Sequence, residues 1–303
     1  MNQNIYNQLI QIIDKTRVLI DEPMKKHTTF RVGGKADYFV MPRTTQEVQQ
    51  VVALCKNENL PYYILGNGSN LLVGDKGYRG VIIQIYKEMN TITVEGDCIR
   101  AQAGALLSKV GSVALEAGLA GFEFAAGIPG AVGGAVVMNA GAYGGEMKDI
   151  LASATVLTED GKVLELTNEE LELGYRTSII AKRNYIVLEA EYQLQRGDKT
   201  EIRAKMDELK KQRVTKQPLE YASAGSTFKR PEGYFAGKLI QDAGLRGFQV
   251  GGAQVSEKHC GFVINKGDAT AADIVELMNQ VSEKVYQEFG VTLEPEVKRL
   301  GEF

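Results

Sequence analysis

The feature that most restricts the fold is a run of twenty residues without a charge, FAAGIPGAVGGAVVMNAGAY (124–143). A run of this length is long enough to cross a membrane as a helix. It contains five glycines and Pro129, however, and both residue types destabilise a long helix. The run therefore predicts loops and a short helix packed in the core of a globular domain.

Length and composition narrow the class of protein. A chain of 303 residues with 44% apolar and 24% charged residues is typical of a globular protein of two or three domains. The net charge of −3 gives no basic surface for nucleic acid and no polybasic membrane patch. Cys55, Cys98 and Cys260 are scattered, which predicts neither a disulfide framework nor a zinc site.

The sequence also indicates the cellular compartment and the partners of the protein. The N-terminal residues 1–26 lack the apolar core of a signal peptide and predict a short amphipathic helix. We expect a cytoplasmic protein without metal, nucleic-acid partner, membrane insertion or obligate protein partner.

The periodic segments predict an α+β protein with a domain boundary near residue 195 and an internal division near residue 88. Thr44 and Glu47 form a potential capping box for one helix, and Thr270 and Asp273 form another. Further helices are predicted over 105–118 and 195–218. Strands are predicted at 62–65, 81–85, 91–96, 98–104 and 185–194, with a hairpin at 154–166.

Two glycine-rich segments are candidates for binding an anion. LGNGSNLLV (65–73) follows a strand, and its backbone can present several N–H groups in one direction. In GIPGAVGGAVVMNAGAYGGE (127–146), a helix starting near Val132 would direct free N–H groups toward an anion. Neither segment is a GxGxxG or P-loop motif, and a tight turn or a packing segment remains the alternative for each. Together they favour one extended dinucleotide.

Several polar residues are ambiguous when taken one at a time. Ser226, in YASAGSTFKRP, follows small residues as a nucleophile would, yet AGSTF is not GxSxG and the chain has only two histidines. Arg176 in GYRTS and the two acids of LEPEV (293–297) are by default exposed on the surface. His259 has no acidic partner near it in sequence and is expected to be structural.

The order of these motifs carries a resemblance to a known family. HTTFRVGG, LGNGSNLLV, GIPGAVGGAVVMNAGAYGGE, GYRTS, SAGSTFKRP, AGKLIQDAGLRG, GGAQVSEKHCGFVIN and LEPEV follow one another from residue 27 to the C-terminus. This series resembles the UDP-N-acetylenolpyruvoylglucosamine reductases, also called UDP-N-acetylmuramate dehydrogenases. These are FAD enzymes of bacterial cell-wall synthesis that take reducing equivalents from NADPH.

The resemblance implies a fold. A vanillyl-alcohol-oxidase-like (PCMH-type) FAD-binding region would consist of two subdomains, at 1–88 and 89–195. An α+β substrate-binding domain would cover 196–290, and residues 291–303 would return to the first subdomain. The stretch from Ser178 to Ser226 is short, so the chain resembles the second type of the family, which lacks an extra tyrosine-bearing loop.

The resemblance also implies residue roles. Ser226 matches the proton donor of the family, and Arg176 and Glu296 match its other catalytic residues, whereas Glu294 is expected to be structural. Flavin contacts are expected from Gly66, Asn67, Gly68, Ser69, Asn70, Ile128, Pro129, Gly130, Val132, Gly133, Gly134, Gly141 and Arg213. Contacts to the substrate's diphosphate and sugar are expected from Tyr175, Lys216, Arg230 and Lys238.

Three alternatives are compatible with parts of the sequence. Another FAD-linked oxidoreductase of the same fold would share the flavin loops but have no need for SAGSTFKRP or LEPEV. A serine hydrolase would use Ser226 as its nucleophile, although neither histidine has a triad setting. A non-catalytic nucleotide-sugar-binding protein would use the same loops without redox chemistry.

Overall fold

The computed structural model describes residues 2–303. The chain forms two compact units, each assembled from separate segments. The first unit comprises Met1–Leu19, Tyr38–Asn67 and Gly80–Gln212, and the second comprises Ile20–Asp37, Gly68–Arg79 and Arg213–Phe303. The finer division at residues 88 and 195, with 291–303 returning to the first part, stays a prediction.

The helices alternate with many short strands. The α-helices are α1 (Gln3–Ile12), α2 (Thr45–Asn57), α3 (Leu107–Ala117), α4 (Val132–Val137), α5 (Ile179–Lys182), α6 (Lys199–Lys216), α7 (Ala236–Asp242) and α8 (Ala271–Phe289). Single 3-10 turns lie at Lys15–Arg17, Met24–Lys26 and Met147–Asp149.

The strands follow the predicted pattern of short, turn-bounded segments. In chain order they are β1 (Val18–Pro23), β2 (Lys35–Val40), β3 (Tyr62–Leu65), β4 (Leu71–Val73), β5 (Tyr78–Gln84), β6 (Ile92–Glu95), β7 (Cys98–Gln102), β8 (Leu119–Ala120), β9 (Gly141–Ala142), β10 (Gly145–Glu146), β11 (Leu151–Leu157), β12 (Val163–Thr167), β13 (Ile186–Gln193), β14 (Gln195–Arg196), β15 (Ala222–Ser223), β16 (Gln249–Val250), β17 (Ala253–Val255), β18 (Val263–Asn265) and β19 (Lys298–Leu300).

The first unit is built on an antiparallel sheet with the strand order β12-β11-β13-β7-β6. The predicted hairpin is confirmed, since β11 and β12 pair from Leu157 and Val163 outward. The same unit contains a parallel pair, in which Tyr62–Leu65 of β3 lies opposite Val81–Gln84 of β5. Helices α2, α3 and α4 contribute apolar side chains to one core with these strands, which removes them from water and stabilises the unit.

The second unit is built on the antiparallel sheet β15-β18-β17-β16, with α8 packed on it. The predicted apolar stripe of α8 is confirmed, because Ile274, Leu277, Met278, Val281 and Val285 are all buried. A separate parallel pair joins β19 to β4, with Lys298 opposite Leu71. This pair holds the C-terminal segment beside the end of the GNGSN loop.

The two predicted capping boxes have different outcomes. At α8 both halves form, because the Thr270 hydroxyl accepts from Asp273 N–H and the Asp273 carboxylate accepts from Thr270 N–H. At α2 only the Thr44 half forms, with a bond of 3.1 Å from Glu47 N–H. The Glu47 carboxylate instead binds the guanidinium of Arg17, so the prediction of a reciprocal box at Thr44 was wrong. A buried cation attracts a carboxylate more strongly than a single amide does.

The uncharged run 124–143 forms loops, the short helix α4 and strand β9, as predicted. Within residues 2–303, none of the helices combines the length and the apolar character that crossing a bilayer requires.

Candidate active site

The first-turn N–H groups of α4 are already hydrogen-bonded. Val132 N–H donates to the Ala105 carbonyl at 2.9 Å, and Gly133 N–H donates to the Ala103 carbonyl at 2.8 Å. The expectation that this helix start offers these two N–H groups to an anion was therefore wrong. The chain after β7 turns back alongside α4, and its carbonyl groups satisfy donors that a helix end leaves unpaired.

Gly66 and Asn67, the part of the GNGSN loop that belongs to the first unit, lie in contact with the segment 127–146. The Asn67 side-chain amide donates to the Pro129 carbonyl at 2.8 Å. A Cβ added at Gly66 would lie 3.5 Å from the Ala131 side chain. Gly134 is exposed, and a Cβ there would meet no atom within 4 Å. The segments predicted to bind one ligand thus lie side by side at Asn67 and Pro129, with Gly134 exposed and Ile128 and Gly130 half-buried.

The other half of the GNGSN loop belongs to the second unit, where HTTFRVGG supports it. Gly68 has a φ of 67°, and a Cβ there would lie 2.0 Å from the His27 carbonyl oxygen. The Gly68 carbonyl in turn accepts from Thr29 N–H at 3.1 Å. Only glycine fits at this position, because any side chain would combine a left-handed backbone with a clash. Ser69 and Asn70 follow and are half-buried.

Arg176 lies in a tight turn that is hydrogen-bonded to the glycine-rich segment 127–146. Gly174 and Thr177 form an isolated antiparallel bridge, and Arg176 between them has a φ of 55°. The Asn139 side-chain amide donates to the Gly174 carbonyl at 3.2 Å, and the Ser178 hydroxyl donates to the Val137 carbonyl at 2.7 Å. A non-glycine residue with positive φ is strained and is enriched at functional sites.

Tyr175 and Arg176 lie together on this turn, with Arg176 half-buried. Tyr175 is 55% exposed. The Arg176 guanidinium lies 5.2 Å from the centroid of the Tyr175 ring, within the range of a cation–π contact. The turn therefore presents a planar cation and an aromatic ring together, which suits a carboxylate or phosphate ligand.

Ser226 and Glu296 come from distant segments that the second unit joins. Glu296 N–H donates to the Thr227 carbonyl at 2.8 Å, and Lys229 N–H donates to the Glu294 carbonyl at 2.8 Å. Phe228 and Pro295 form the antiparallel bridge between these two bonds. Ser226 is exposed at the end of this short ladder, and Glu296 is half-buried.

The same segment is tied to the GNGSN loop. The Asn70 side-chain amide donates to the Glu296 carbonyl at 3.2 Å, and the Asn70 carbonyl accepts from Lys298 N–H at 3.1 Å. Glu294 forms an ion pair with Lys229 and is more exposed than Glu296. Two acids of one motif therefore differ in their surroundings.

The remaining candidate residues have the following positions. Gly141 lies in β9, which pairs with β10. Arg213 and Lys216 are on the last turns of α6, half-buried and exposed respectively. The Arg230 guanidinium stacks 4.0 Å from the Phe235 ring centroid, and Lys238 on α7 forms an ion pair with Asp242. Lys238 is thus neutralised by a neighbour, which sequence reasoning missed although Asp242 is four residues ahead on the same helix.

The His259 side chain accepts a hydrogen bond from a nearby backbone N–H group. Gly261 N–H donates to its Nδ1 atom at 3.1 Å, and its ring packs edge-on against Phe262 with centroids 5.0 Å apart. Burial lowers the pKa of His259, so the neutral imidazole that accepts this bond is favoured. A base in this setting does not activate Ser226 as a nucleophile, which argues against the hydrolase alternative.

Comparison with known proteins gives a family for both units. Residues 36–167 match the model of an FAD binding domain, and residues 217–300 match the C-terminal domain of UDP-N-acetylenolpyruvoylglucosamine reductase. UDP-N-acetylenolpyruvoylglucosamine reductases from Clostridioides difficile and Agathobacter rectalis are 55% and 56% identical, and the matches span 99% and 100% of both chains. The chain belongs to the UDP-N-acetylenolpyruvoylglucosamine reductase family.

Structural comparison agrees with this membership. The crystal structure of the UDP-N-acetylenolpyruvylglucosamine reductase from Thermus caldophilus superposes with a TM-score of 0.80 at 37% identity, covering 93% of this chain and 98% of that chain. The predicted fold class is confirmed as α+β, with an FAD binding domain and the family's C-terminal domain. Residues 178–226 are taken up by α5, β13, β14, α6 and β15. The assignment to the second type of the family stays a prediction.

The first unit suits FAD as a ligand. The exposed backbone at Gly134 and the contact between Asn67 and Pro129 form a surface that a flat, elongated molecule can approach closely. Neither loop contains a basic residue of its own. A pyrophosphate bound there would depend on backbone amides other than those of Val132 and Gly133, which are already hydrogen-bonded. The reductase family and its FAD binding domain give FAD as the cofactor and NADPH as the reductant.

Proposed function

We propose that this chain reduces the enolpyruvyl group of UDP-N-acetylenolpyruvoylglucosamine to give UDP-N-acetylmuramate for peptidoglycan synthesis. Bound FAD would supply the redox chemistry, taking hydride from NADPH and delivering it to the terminal methylene carbon of the substrate. The proposal is carried by one observation, the hydrogen-bonded ladder from Thr227–Lys229 to Glu294–Glu296 that joins the SAGSTFKRP and LEPEV motifs. Other flavoenzymes of the fold have no need for these motifs.

Arg176 and Glu296 are proposed to stabilise charge on the substrate. Hydride addition leaves negative charge on the carbon that carries the carboxylate, and this charge delocalises onto the carboxylate oxygens. A guanidinium grips such a carboxylate with two parallel hydrogen bonds, and a protonated carboxyl group can donate a further one. The strained backbone of Arg176 supports its assignment, since such strain persists at sites where orientation matters.

Ser226 is proposed to give the same carbon its proton. A hydroxyl is a weak acid in water, but a positioned enolate held next to it is a strong acceptor. The exposure of Ser226 supports this role, because its hydroxyl is open to a ligand. Lys229 and Arg230 follow in the chain. Lys229 is paired with Glu294, so Arg230 is the cation whose charge would favour the alkoxide left after proton transfer.

The ligand contacts are proposals of the same kind. For FAD we propose contacts with Gly66–Asn70 and Ile128–Gly134, other than to the N–H groups of Val132 and Gly133, with Gly141 and Arg213 as further contacts. For the diphosphate and sugar of the substrate we propose Tyr175, Lys216, Arg230 and Lys238. Lys238 would have to exchange its bond to Asp242 for a phosphate oxygen, which a doubly charged ligand favours.

The reductase is proposed to work in the cytoplasm on small molecules alone, without an obligate protein partner. Its three cysteines are free thiols, in keeping with a reducing compartment.

The experiment that tests the function is anaerobic stopped-flow spectroscopy of the purified, FAD-loaded protein. NADPH should bleach the flavin absorbance, and the enolpyruvyl nucleotide sugar should then restore it. Restoration only by oxygen, or reduction by NADH with none by NADPH, would contradict the proposal. A protein that remains colourless after incubation with FAD would exclude every flavoenzyme function.

A further inference from the structure

Thr227, which follows Ser226, is buried and uses each of its polar groups. Its side chain and backbone are 0% exposed. Its N–H donates to the Gly261 carbonyl at 2.9 Å, and its carbonyl accepts from Glu296 N–H at 2.8 Å. Its hydroxyl oxygen accepts from Val263 N–H at 2.9 Å. One residue therefore binds two separate segments of the second unit.

The backbone bonds of Thr227 to Gly261 and Glu296 restrain the backbones of the proposed catalytic residues. The N–H of Thr227 belongs to the peptide group that links it to Ser226, so the bond to Gly261 holds the plane of that peptide. The N–H that reaches the Thr227 carbonyl belongs to Glu296 itself. The backbones of Ser226 and Glu296 are thus linked through Thr227 by one peptide bond and one hydrogen bond.

The hydroxyl closes the loop that carries Ser226. Before the loop, Ser223 in β15 pairs with Ile264 of β18. After it, the Thr227 hydroxyl and N–H are bound to Val263, the first residue of β18, and to Gly261. Ala224, Gly225 and Ser226 form the arch between these anchors, and Gly225 has a φ of 76°. Both ends of the arch are therefore bound to β18 or to the residues just before it.

We propose that Thr227 is a positioning residue, whose hydroxyl sets the place of the Ser226 proton donor relative to Glu296; this rests on the proposed function. Without the hydroxyl, Val263 N–H is a buried donor without its acceptor, and the arch loses one anchor. Displacing a reacting group by about 1 Å can cost about 100-fold in rate. Loss of the anchor is expected to slow protonation while leaving the reaction with NADPH unchanged.

The test compares Thr227→Val with Thr227→Ser in the FAD-loaded protein. Valine removes the hydroxyl at nearly the same volume, whereas serine keeps it. Thr227→Val should slow substrate-driven flavin reoxidation by about tenfold to 100-fold, with wild-type reduction by NADPH, and Thr227→Ser should restore most of the rate. A wild-type reoxidation rate in Thr227→Val, an equal loss in both variants, or an equal loss in both half-reactions would overturn the proposal.

A second readout is independent of activity. Hydrogen exchange of the Val263 amide, followed by NMR in the FAD-loaded protein, should become faster in Thr227→Val and stay slow in Thr227→Ser. Unchanged protection in Thr227→Val would show that the hydroxyl is not the anchor and would overturn the proposal. If Thr227→Val does not fold, Thr227→Cys replaces it, because sulfur is a weaker acceptor. A Thr227→Cys rate equal to that of Thr227→Ser would then overturn it.

The Ser226→Ala background separates this inference from the proposed function. If Thr227 acts through Ser226, adding Thr227→Val to Ser226→Ala should slow reoxidation no further. A full additional loss in the double variant would show that Thr227 acts elsewhere. If the wild-type protein is not reoxidised by the enolpyruvyl substrate at all, the proposed function fails, and the amide exchange still decides whether the anchor exists.

Discussion

The ion pair between Arg17 and Glu47 offers a prediction whose size follows from its surroundings. Two parallel bonds of 2.7 and 2.8 Å join the guanidinium to the carboxylate, and Arg17 also donates to the Met41 carbonyl at 2.9 Å. The side chains of Arg17 and Glu47 are only 9% and 17% exposed. The substitution Glu47→Gln removes the negative charge at nearly constant shape and leaves the Arg17 cation buried without a counter-ion.

Removing one partner of a buried pair typically costs about 3–5 kcal/mol. We expect about 3 kcal/mol for Glu47→Gln, at the lower end, because some solvent reaches the carboxylate and glutamine keeps one hydrogen-bond acceptor. The hydrogen bond with Arg17 lowers the pKa of Glu47 in the folded protein. A carboxylate with a lowered folded pKa stabilises the protein above its unfolded pKa, of about 4.3, and this contribution is lost as the pH falls through the folded pKa. The difference between wild type and variant should therefore be constant above about pH 5 and shrink at lower pH.

The assay is urea unfolding with a fixed excess of FAD, followed by far-ultraviolet circular dichroism because the chain has no tryptophan. Glu208→Gln is the matched control, since Glu208 pairs with Lys205 on an exposed face of α6. The control should leave the unfolding free energy unchanged, as expected for a surface pair. A loss below about 1 kcal/mol for Glu47→Gln, or a loss that does not shrink in acid, would refute the reasoning.

Three further predictions concern the proposed catalytic residues. Ser226→Ala should keep flavin reduction by NADPH and lose reoxidation by substrate; Ser223→Ala is the control, and a wild-type reoxidation rate in Ser226→Ala would exclude the proton-donor role. Glu296→Gln should slow the same half-reaction more than Glu294→Gln does, and an effect confined to NADPH oxidation contradicts its role. Arg176→Lys loses the bidentate grip on a carboxylate and should lower kcat/KM by about tenfold to 100-fold in steady-state assays, so an unchanged value argues against that contact.

Elements with local causes were predictable from the sequence. The apolar stripe of α8 repeats at helical spacing, its capping box lies within four residues, and Gly290 ends the helix in the left-handed conformation. The same holds for α3, which ends at Gly118, and for the hairpin between β11 and β12. These features depend on neighbours in the chain, so a single sequence contains all of their physics.

Features with distant partners were missed or misjudged. The prediction that Glu47 caps α2 failed because Arg17, from another part of the chain, binds its carboxylate. The first N–H groups of α8 are bound not only within its own cap but also by Asp75, at 2.8 Å from Ala271 N–H and 2.9 Å from Ala272 N–H. Sequence spacing holds no information about such partners, because they meet only when the chain folds. Their hydrogen bonds are strengthened by the low dielectric of the folded interior.

The order of motifs in the sequence indicated the reductase family by resemblance, and with it FAD as the cofactor, while local periodicity predicted the α+β class. The roles of Ser226 and Glu296, which the resemblance implies, stay proposals. Folding in three dimensions decided how those residues are held. In the folded structure Glu296 N–H donates to the Thr227 carbonyl, and the Asn70 side-chain amide donates to the Glu296 carbonyl. Val263 N–H donates to the Thr227 hydroxyl. The physical reason is that buried backbone groups must find partners, and in a compact unit those partners come from whichever segment packs alongside.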